Sequence, residues 1–268
     1  MDGTGAVPVY LRKLPSGEVW QSILNPQLFS SLSGLQSQGS ILISTPDTIY
    51  LSLFSRDAPN TLFRLSRCGR RVLKSLRVAV DYMCLHNDLL YIVAQAGQGA
   101  SARLDVRDPS SLEVLRSIRY PRDEIAGTIH GIAVVERPAP VGGGERIFLT
   151  VWTASGYKIL VLKEQVPGEA HVVRDVRSNS ESWVGPPLEE PTAMMTCGEY
   201  IFVSEYTSSG SIRILSYDGT HLHSIPQDGL QISGLQICPS RRRLLVFGPL
   251  RFGEYFLDEY EVPWMKAA

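Results

Sequence analysis

Residues 191–226 read PTAMMTCGEYIFVSEYTSSGSIRILSYDGTHLHSIP, and the fold turns on how this stretch is parsed. It holds four short apolar or alternating runs: AMMT at 193–196, YIFVS at 200–204, SIRILSY at 211–217 and LHSI at 222–225. Gly, Ser, Thr and Asp separate them, the pattern of strands joined by turns. In the third run Ile212 and Ile214 fall on one face. The sequence Tyr217-Asp218-Gly219-Thr220 then supplies the Asp-Gly pair expected of a tight hairpin.

Working outward, the same order of runs recurs along the chain. The β-branched and aromatic run appears as TIYLSL at 48–53, LLYIV at 89–93, RIFLTV at 146–151, YIFVS at 200–204 and RLLVF at 243–247. Its reference positions Tyr50, Tyr91, Phe148, Phe202 and Leu245 lie 41, 57, 54 and 43 residues apart, near the length of a propeller blade. A shorter strand introduced by a small or polar residue precedes each copy: SILI at 40–43, YMCL at 82–85, GIAV at 131–134, AMMT at 193–196 and GLQI at 234–237. These read as the innermost strands, where small residues let neighbouring sheets approach. An outer-strand fingerprint of large apolar, any residue, Ser, then Ile or Leu occurs at 20–23, 73–76, 115–118 and 222–225, with VRDV at 173–176 as a drifted copy. Long runs with helical periodicity are absent, and Gly and Pro are spread throughout. The fold class is all-β: a single β-propeller over residues 1–268, with five four-stranded blades and six as the alternative.

The first outer-strand fingerprint precedes every other strand, and the last inner and central strands have none after them. Residues 7–23 are therefore expected to complete the C-terminal blade and close the ring, which also removes exposed strand edges. Residues 255–262 read as a strand as well, so the closing blade has more candidates than places. Long connections are expected near 137–145 and 166–191.

Bulk composition narrows the function classes. Twenty-six Lys and Arg balance 27 Asp and Glu for a net charge of -1, so no global pull toward nucleic acid or acidic lipid follows. No apolar stretch approaches the roughly 18 residues of a membrane span, and the first residues lack the pattern of a secretory signal. A soluble, intracellular and cytoplasmic protein with no membrane partner is expected. Cys68, Cys84, Cys197 and Cys238 form no Cys-x-x-Cys pair and read as small buried hydrophobes.

Residues 191–226 resemble the NHL-repeat and related six-bladed propeller families. The shared order is a Pro-small-apolar start, a strand ending near Val-Ser-Glu, then Ile-Arg-Ile and an aromatic-Asp-Gly turn. HGIAVVE at 130–136, followed by RIFLTVWTASGYKILVL at 146–162, is a looser second copy. The Asp that many NHL blades carry after the second strand is replaced by Glu205 here, and by Gln95, Trp152 and Gly248 in other copies. The resemblance implies a toroidal scaffold whose relatives mostly bind proteins or RNA, a minority being enzymes.

In this architecture, inner-strand starts and central-strand ends gather at the mouth of a channel. Asp81, Gln95, His130, Trp152, Thr192, Glu205 and Ser233 take those positions by phase and form the candidate binding set. An enzyme reading makes Asp81, His130 and Glu205 ligands of a divalent metal. Propeller lactonases use a similar plan, but the Asn ligands expected of them are missing at the matching positions. No Gly-x-Ser-x-Gly elbow or His-Glu-x-x-His pair occurs, and Gly142-Gly143-Gly144 lacks the Lys and helix of a phosphate cradle. No cofactor is expected. An RNA reading draws on Arg64, Arg67, Arg70, Arg71, Lys74 and Arg77, with no acidic residue among them, although Lys and Arg also protect β edges. A protein-binding reading draws on the long connections, with Trp183 as an interface anchor or else packed against Pro186 and Pro187. The function expected first is a non-catalytic scaffold for protein assembly. An RNA-binding propeller using 64–77 comes second, and a metal-dependent hydrolase or lyase third.

Overall fold

The continuous apolar runs are strands buried on both faces, which is why they do not alternate. In one of them Leu90, Tyr91, Ile92 and Val93 are all buried, and in another the whole of 146–151 is. The computed structural model describes residues 37–45, 47–55, 60–66, 71–94, 103–119, 127–137, 144–153, 156–177, 188–197, 200–205, 211–216, 219–226, 232, 234–238, 243–249 and 255–261. Every regular element among them is a strand.

Each run of strands is an antiparallel meander. The first sheet is β1 (Ser37–Ser44), β2 (Thr48–Ser55), β3 (Thr61–Ser66) and β4 (Val72–Arg77). The second is β5 (Tyr82–His86), β6 (Leu89–Ala94), β7 (Arg103–Arg107) and β8 (Val114–Arg119). The third is β9 (Gly127–Arg137), β10 (Gly144–Thr153), β11 (Gly156–Val166) and β12 (Glu169–Arg177). The fourth is β13 (Pro191–Cys197), β14 (Tyr200–Glu205), β15 (Ser211–Ser216) and β16 (His221–Pro226). The fifth has three described strands: β17 (Gly234–Cys238), β18 (Arg243–Pro249) and β19 (Tyr255–Glu261).

Local chemistry explains the turns. Asn87 and Asp88 join β5 to β6 with φ of 47° and 55°, the two left-handed residues that a type I′ hairpin requires. Pro167 and Gly168 join β11 to β12, with Gly168 at φ 91°. Gly219 sits at φ 83° and its N–H donates to the Ser216 carbonyl at 2.8 Å, while Ser216 N–H donates to Thr220. Leu215 pairs with His221 across this turn.

Two expectations need correction. The segment 166–191 is not one loop: β12 fills its first part, because the alternating, β-branched residues after Gly168 pair with β11. The connection at 137–145 is shortened at both ends, with β9 running to Arg137 and β10 starting at Gly144. In the last sheet β19, within the strand read at 255–262, pairs with β18. Residues 7–23 lie outside the described residues.

The described residues divide into two compact units between Ser117 and Ile118. In the first, the first and second sheets share a core of Tyr50, Leu62, Val80, Met83, Leu90, Ile92 and Leu112. In the second, the third and fourth sheets pack through Ala133, Val135, Phe148, Ile159, Val161, Leu188, Met194, Ile201, Val203 and Leu215. The fourth and fifth sheets pack through Phe202, Ile212, Ile214, Ile232, Leu244 and Val246. Consecutive sheets within each unit therefore stack face to face. Gly131 makes one such approach feasible: a Cβ there would lie 2.8 Å from Thr150 Oγ1 and 3.5 Å from Met194 of β13.

The chain leading into a sheet is pinned by one buried apolar side chain. Val80 precedes β5, Leu188 precedes β13 and Ile232 precedes β17, and each sits in the core shared with the preceding sheet.

Candidate functional site

The first strands carry a recurring irregularity. In β9 the register skips His130, as Gly131 pairs with Thr150 while Ile129 pairs with Val151. In β13 it skips Thr192, and in β1 it skips Gln38. A bulge residue escapes the alternation of its strand and can be aimed elsewhere. The Thr192 hydroxyl donates to the Ile232 carbonyl at 2.8 Å, and the His130 ring meets Tyr157 edge-on at 5.9 Å with an interplanar angle of 75°.

Around His130 a polar aromatic corner is assembled within the second unit. Trp152 near the end of β10 pairs directly with Tyr157 of β11, which places both on the face that carries Phe148 and Ile159. The core ends at Tyr157, which packs against it, and Trp152 beyond remains 50% exposed. Glu190 arrives from the lead-in to β13 and accepts a hydrogen bond from the Tyr157 hydroxyl. Desolvation, followed by the Glu190 charge and this bond, raises the Tyr157 pKa. Desolvation lowers the His130 pKa, and the neighbouring Glu190 carboxylate opposes that shift. Among the described residues no Lys or Arg pairs with Glu190.

Glu190 is held in place by its neighbours. It has φ 42° and stands immediately before Pro191. The left-handed region is uncommon for a non-glycine residue, and a following proline favours extended backbone instead. Leu188 is buried in the core, the Glu189 N–H donates to Glu205 Oε1 at 2.9 Å, and Pro191 is buried at the start of β13.

Glu205, the residue in the place of the expected NHL Asp, is 2% exposed and fully engaged. Its Oε2 accepts from Arg213 Nε and Nη2, each at 2.8 Å, and from the Ser211 hydroxyl. Arg213 Nη1 in turn donates to Ser224 Oγ at 2.9 Å. The first unit contains a parallel arrangement. Asp105 bonds Arg107 at 2.8 Å and Arg103 at 3.1 Å, and Ser117 Oγ donates to it at 2.7 Å. Ser117 and Ser224 are the serines of the outer-strand fingerprint, so that serine meets a charged group on the neighbouring strand. The sequence reading missed Asp105, Arg107 and Arg213. The available signal was a charged residue inside an otherwise apolar third strand, RLDVR and SIRILS.

The remaining candidates are placed as follows. Asp81 lies in the first unit, where its N–H donates to the Val93 carbonyl at 2.9 Å and its charge adds to the desolvation that pushes the Tyr82 pKa up to about 12. Gln95, Ser233, Trp183, Arg67 and Arg70 lie outside the described residues. Arg71, just ahead of β4, and Lys74 and Arg77 within it are exposed, and β4 is the outermost strand of its sheet. They do not share one face: Lys74 pairs with Arg64 on one side, and Arg77 at odd spacing from Lys74 projects to the other. Arg64 turns to the Ser110 carbonyl at 3.3 Å. Among the described residues no group of three His, Cys, Asp or Glu side chains gathers within reach of one metal ion. Cys84 and Cys197 are both partly buried, and burial raises the Cys197 pKa. Among the described residues no helix is long and apolar enough to cross a membrane.

The chain matches no family model, and no curated protein is similar to it in sequence. Solved structures similar to it include the following three. The Cps50 (Swd1) β-propeller domain of Myceliophteria thermophila is 14% identical with a TM-score of 0.49, over 87% of this chain and 71% of that one. Hydrazine synthase of Kuenenia stuttgartiensis is 16% identical with a TM-score of 0.44, over 69% of this chain. Glutaminyl cyclase of Myxococcus xanthus is 11% identical with a TM-score of 0.39, over 63%. This chain spans 46% and 61% of the length of the latter two.

Proposed function

We propose that this chain is one β-propeller that works in the cytoplasm as a non-catalytic, protein-binding scaffold. The ring reading draws support from the phased repeat and from the serial face-to-face stacking of sheets in each unit. Residues 7–23 would supply the fourth strand of the last sheet. Removing the first 25 or so residues should then lower the melting temperature of the whole protein, because a ring with an open blade exposes its edges. An unchanged melting temperature sinks this closure.

The observation that carries the binding reading is Trp152, half exposed at the end of a strand whose preceding residues are buried. A large aromatic left in water beside a polar rim is the kind of side chain on which protein interfaces concentrate their energy. The catalytic reading has less to draw on, since Glu205 and Asp105 are neutralised by arginines within the fold. The test is affinity capture from the native extract, with and without RNase, comparing the wild type with Trp152→Ala. Protein partners that survive RNase and fall away with Trp152→Ala support the scaffold. Recovery that depends on RNA favours the second reading, in which Arg71, just ahead of β4, and Lys74 and Arg77 on it contact phosphate.

A further inference from the structure

We propose that the corner formed by Trp152, Tyr157 and Glu190 is a recognition site for an arginine side chain of a partner protein. The inference rests on the protein-binding reading and specifies its chemistry. Three features of the corner favour a cation. The Trp152 indole is exposed beside Tyr157 on the same face of the sheet, giving the aromatic surface over which a guanidinium stacks. Glu190 brings an exposed carboxylate to the same corner, where its basic neighbour is the His130 ring, and among the described residues no Lys or Arg pairs with it. The carboxylate lies within reach of the Tyr157 hydroxyl, and the Glu190 backbone is held between buried Leu188, the bonded Glu189 N–H and Pro191.

The left-handed backbone of Glu190 adds a separate reason. Strained conformations ahead of a proline persist where the surroundings over-determine them, and they cluster at ligand clamps. Arginine fits better than lysine because its planar, weakly hydrated guanidinium combines stacking on Trp152 with a hydrogen bond to the carboxylate oxygen. The bulge at His130 completes the floor, setting an imidazole edge-on against Tyr157 instead of an alternating apolar side chain.

The test titrates the full chain, labelled with nitrogen-15, with a blocked Gly-Arg-Gly peptide and follows the indole N–H resonance of Trp152. The resonance is identified by its loss in Trp152→Phe. The arginine peptide should shift it saturably, and the neutral citrulline isostere should not. Glu190→Gln should weaken binding roughly two- to fivefold, as expected for one exposed charge contact, and Tyr157→Phe should weaken it by freeing the carboxylate. Retained spectral dispersion in both variants establishes that they fold. Equal binding of the citrulline peptide, or an unchanged titration in Glu190→Gln, overturns the assignment. The capture experiment separates the two levels: a protein partner lost with Trp152→Ala but kept at full yield by Glu190→Gln overturns the arginine site and leaves the scaffold standing. If no variant captures any protein, the scaffold reading falls while the peptide titration still decides whether the corner binds arginine.

Discussion

Replacing Glu205 by Gln removes one charge from the buried pair it forms with Arg213 and changes little in side-chain volume. The Arg213 side chain is 7% exposed, and three of the hydrogen bonds around the pair end on Glu205 Oε2. With the carboxylate gone, the guanidinium keeps its positive charge in the interior, with Ser224 Oγ as a neutral acceptor. Breaking a buried pair from one side typically costs about 3–5 kcal/mol, chiefly because the surviving ion is left desolvated. In a chain of this size that corresponds to a melting temperature lower by roughly 6–20 °C. Arg213→Met should cost a similar amount, since it leaves the Glu205 carboxylate buried with only the Glu189 N–H and the Ser211 hydroxyl. The double variant Glu205→Gln/Arg213→Met removes both charges and should be far less destabilised than the two single effects added together, with a coupling of about 1–3 kcal/mol. Urea unfolding followed by far-ultraviolet circular dichroism measures all four proteins. Single variants within about 1 kcal/mol of the wild type would refute the reasoning. Strict additivity in the double variant would do so too.

Other outcomes follow from the same geometry. Gly131→Ala should destabilise by about 1–3 kcal/mol, because its methyl group meets the β-branched Thr150 at 2.8 Å and the backbone of β13 just beyond; a thermal melt equal to the wild type contradicts the close packing of β9 on β13. Tyr82, with its pKa raised from 10.0 to about 12 chiefly by burial, contributes stability that is complete below pH 10.0 and lost as pH climbs toward about 12. Tyr82→Phe should flatten that alkaline loss in unfolding experiments run as a function of pH. His130 has a lowered folded pKa, so its contribution is present above its ordinary 6.5 and lost as pH falls through the folded value. His130→Gln should reduce the acid sensitivity, whereas Glu190→Gln, which removes the opposing charge, should increase it. Asp105→Asn should reproduce in the first unit the destabilisation expected of Glu205→Gln in the second, since Arg107 is similarly buried; a neutral effect there would separate the two clusters.

The repeat was legible because its strands are written in residue types that a buried sheet demands. TIYLSL, LLYIV, RIFLTV, YIFVS and RLLVF all fall in second strands, β2, β6, β10, β14 and β18. The outer-strand serine was visible as a fingerprint, but its purpose was not. Ser117 and Ser224 bond to charges brought alongside by register, and pairing register is a property of two strands that neither states alone. His130, Trp152 and Glu205 were singled out by phase as though they formed one set. Glu205 is engaged with Arg213, a partner eight residues on that only the β14–β15 hairpin brings near. Glu190 went unnoticed because nothing in the letters Glu-Glu-Pro announces a left-handed backbone. The extent of β12 was hidden by Pro167 and Gly168, which read as loop residues and serve as a hairpin turn.

The buried side chains that precede the first strands bear on how such a repeat changes length over time. The reference positions are unevenly spaced, by 41 to 57 residues, and the third sheet has strands of 9–11 residues where its neighbours have 5–7. Yet Val80 and Ile232 stand two residues ahead of their strands and Leu188 three. The length differences therefore lie in the longer strands of the third sheet and in the chain ahead of the plug, where 178–187 separate β12 from Leu188, and not in the short stretch between plug and strand. A copy of this repeat tolerates added length at its hairpins or ahead of its plug, but growth between plug and strand would pull the plug out of the core that joins it to the sheet before.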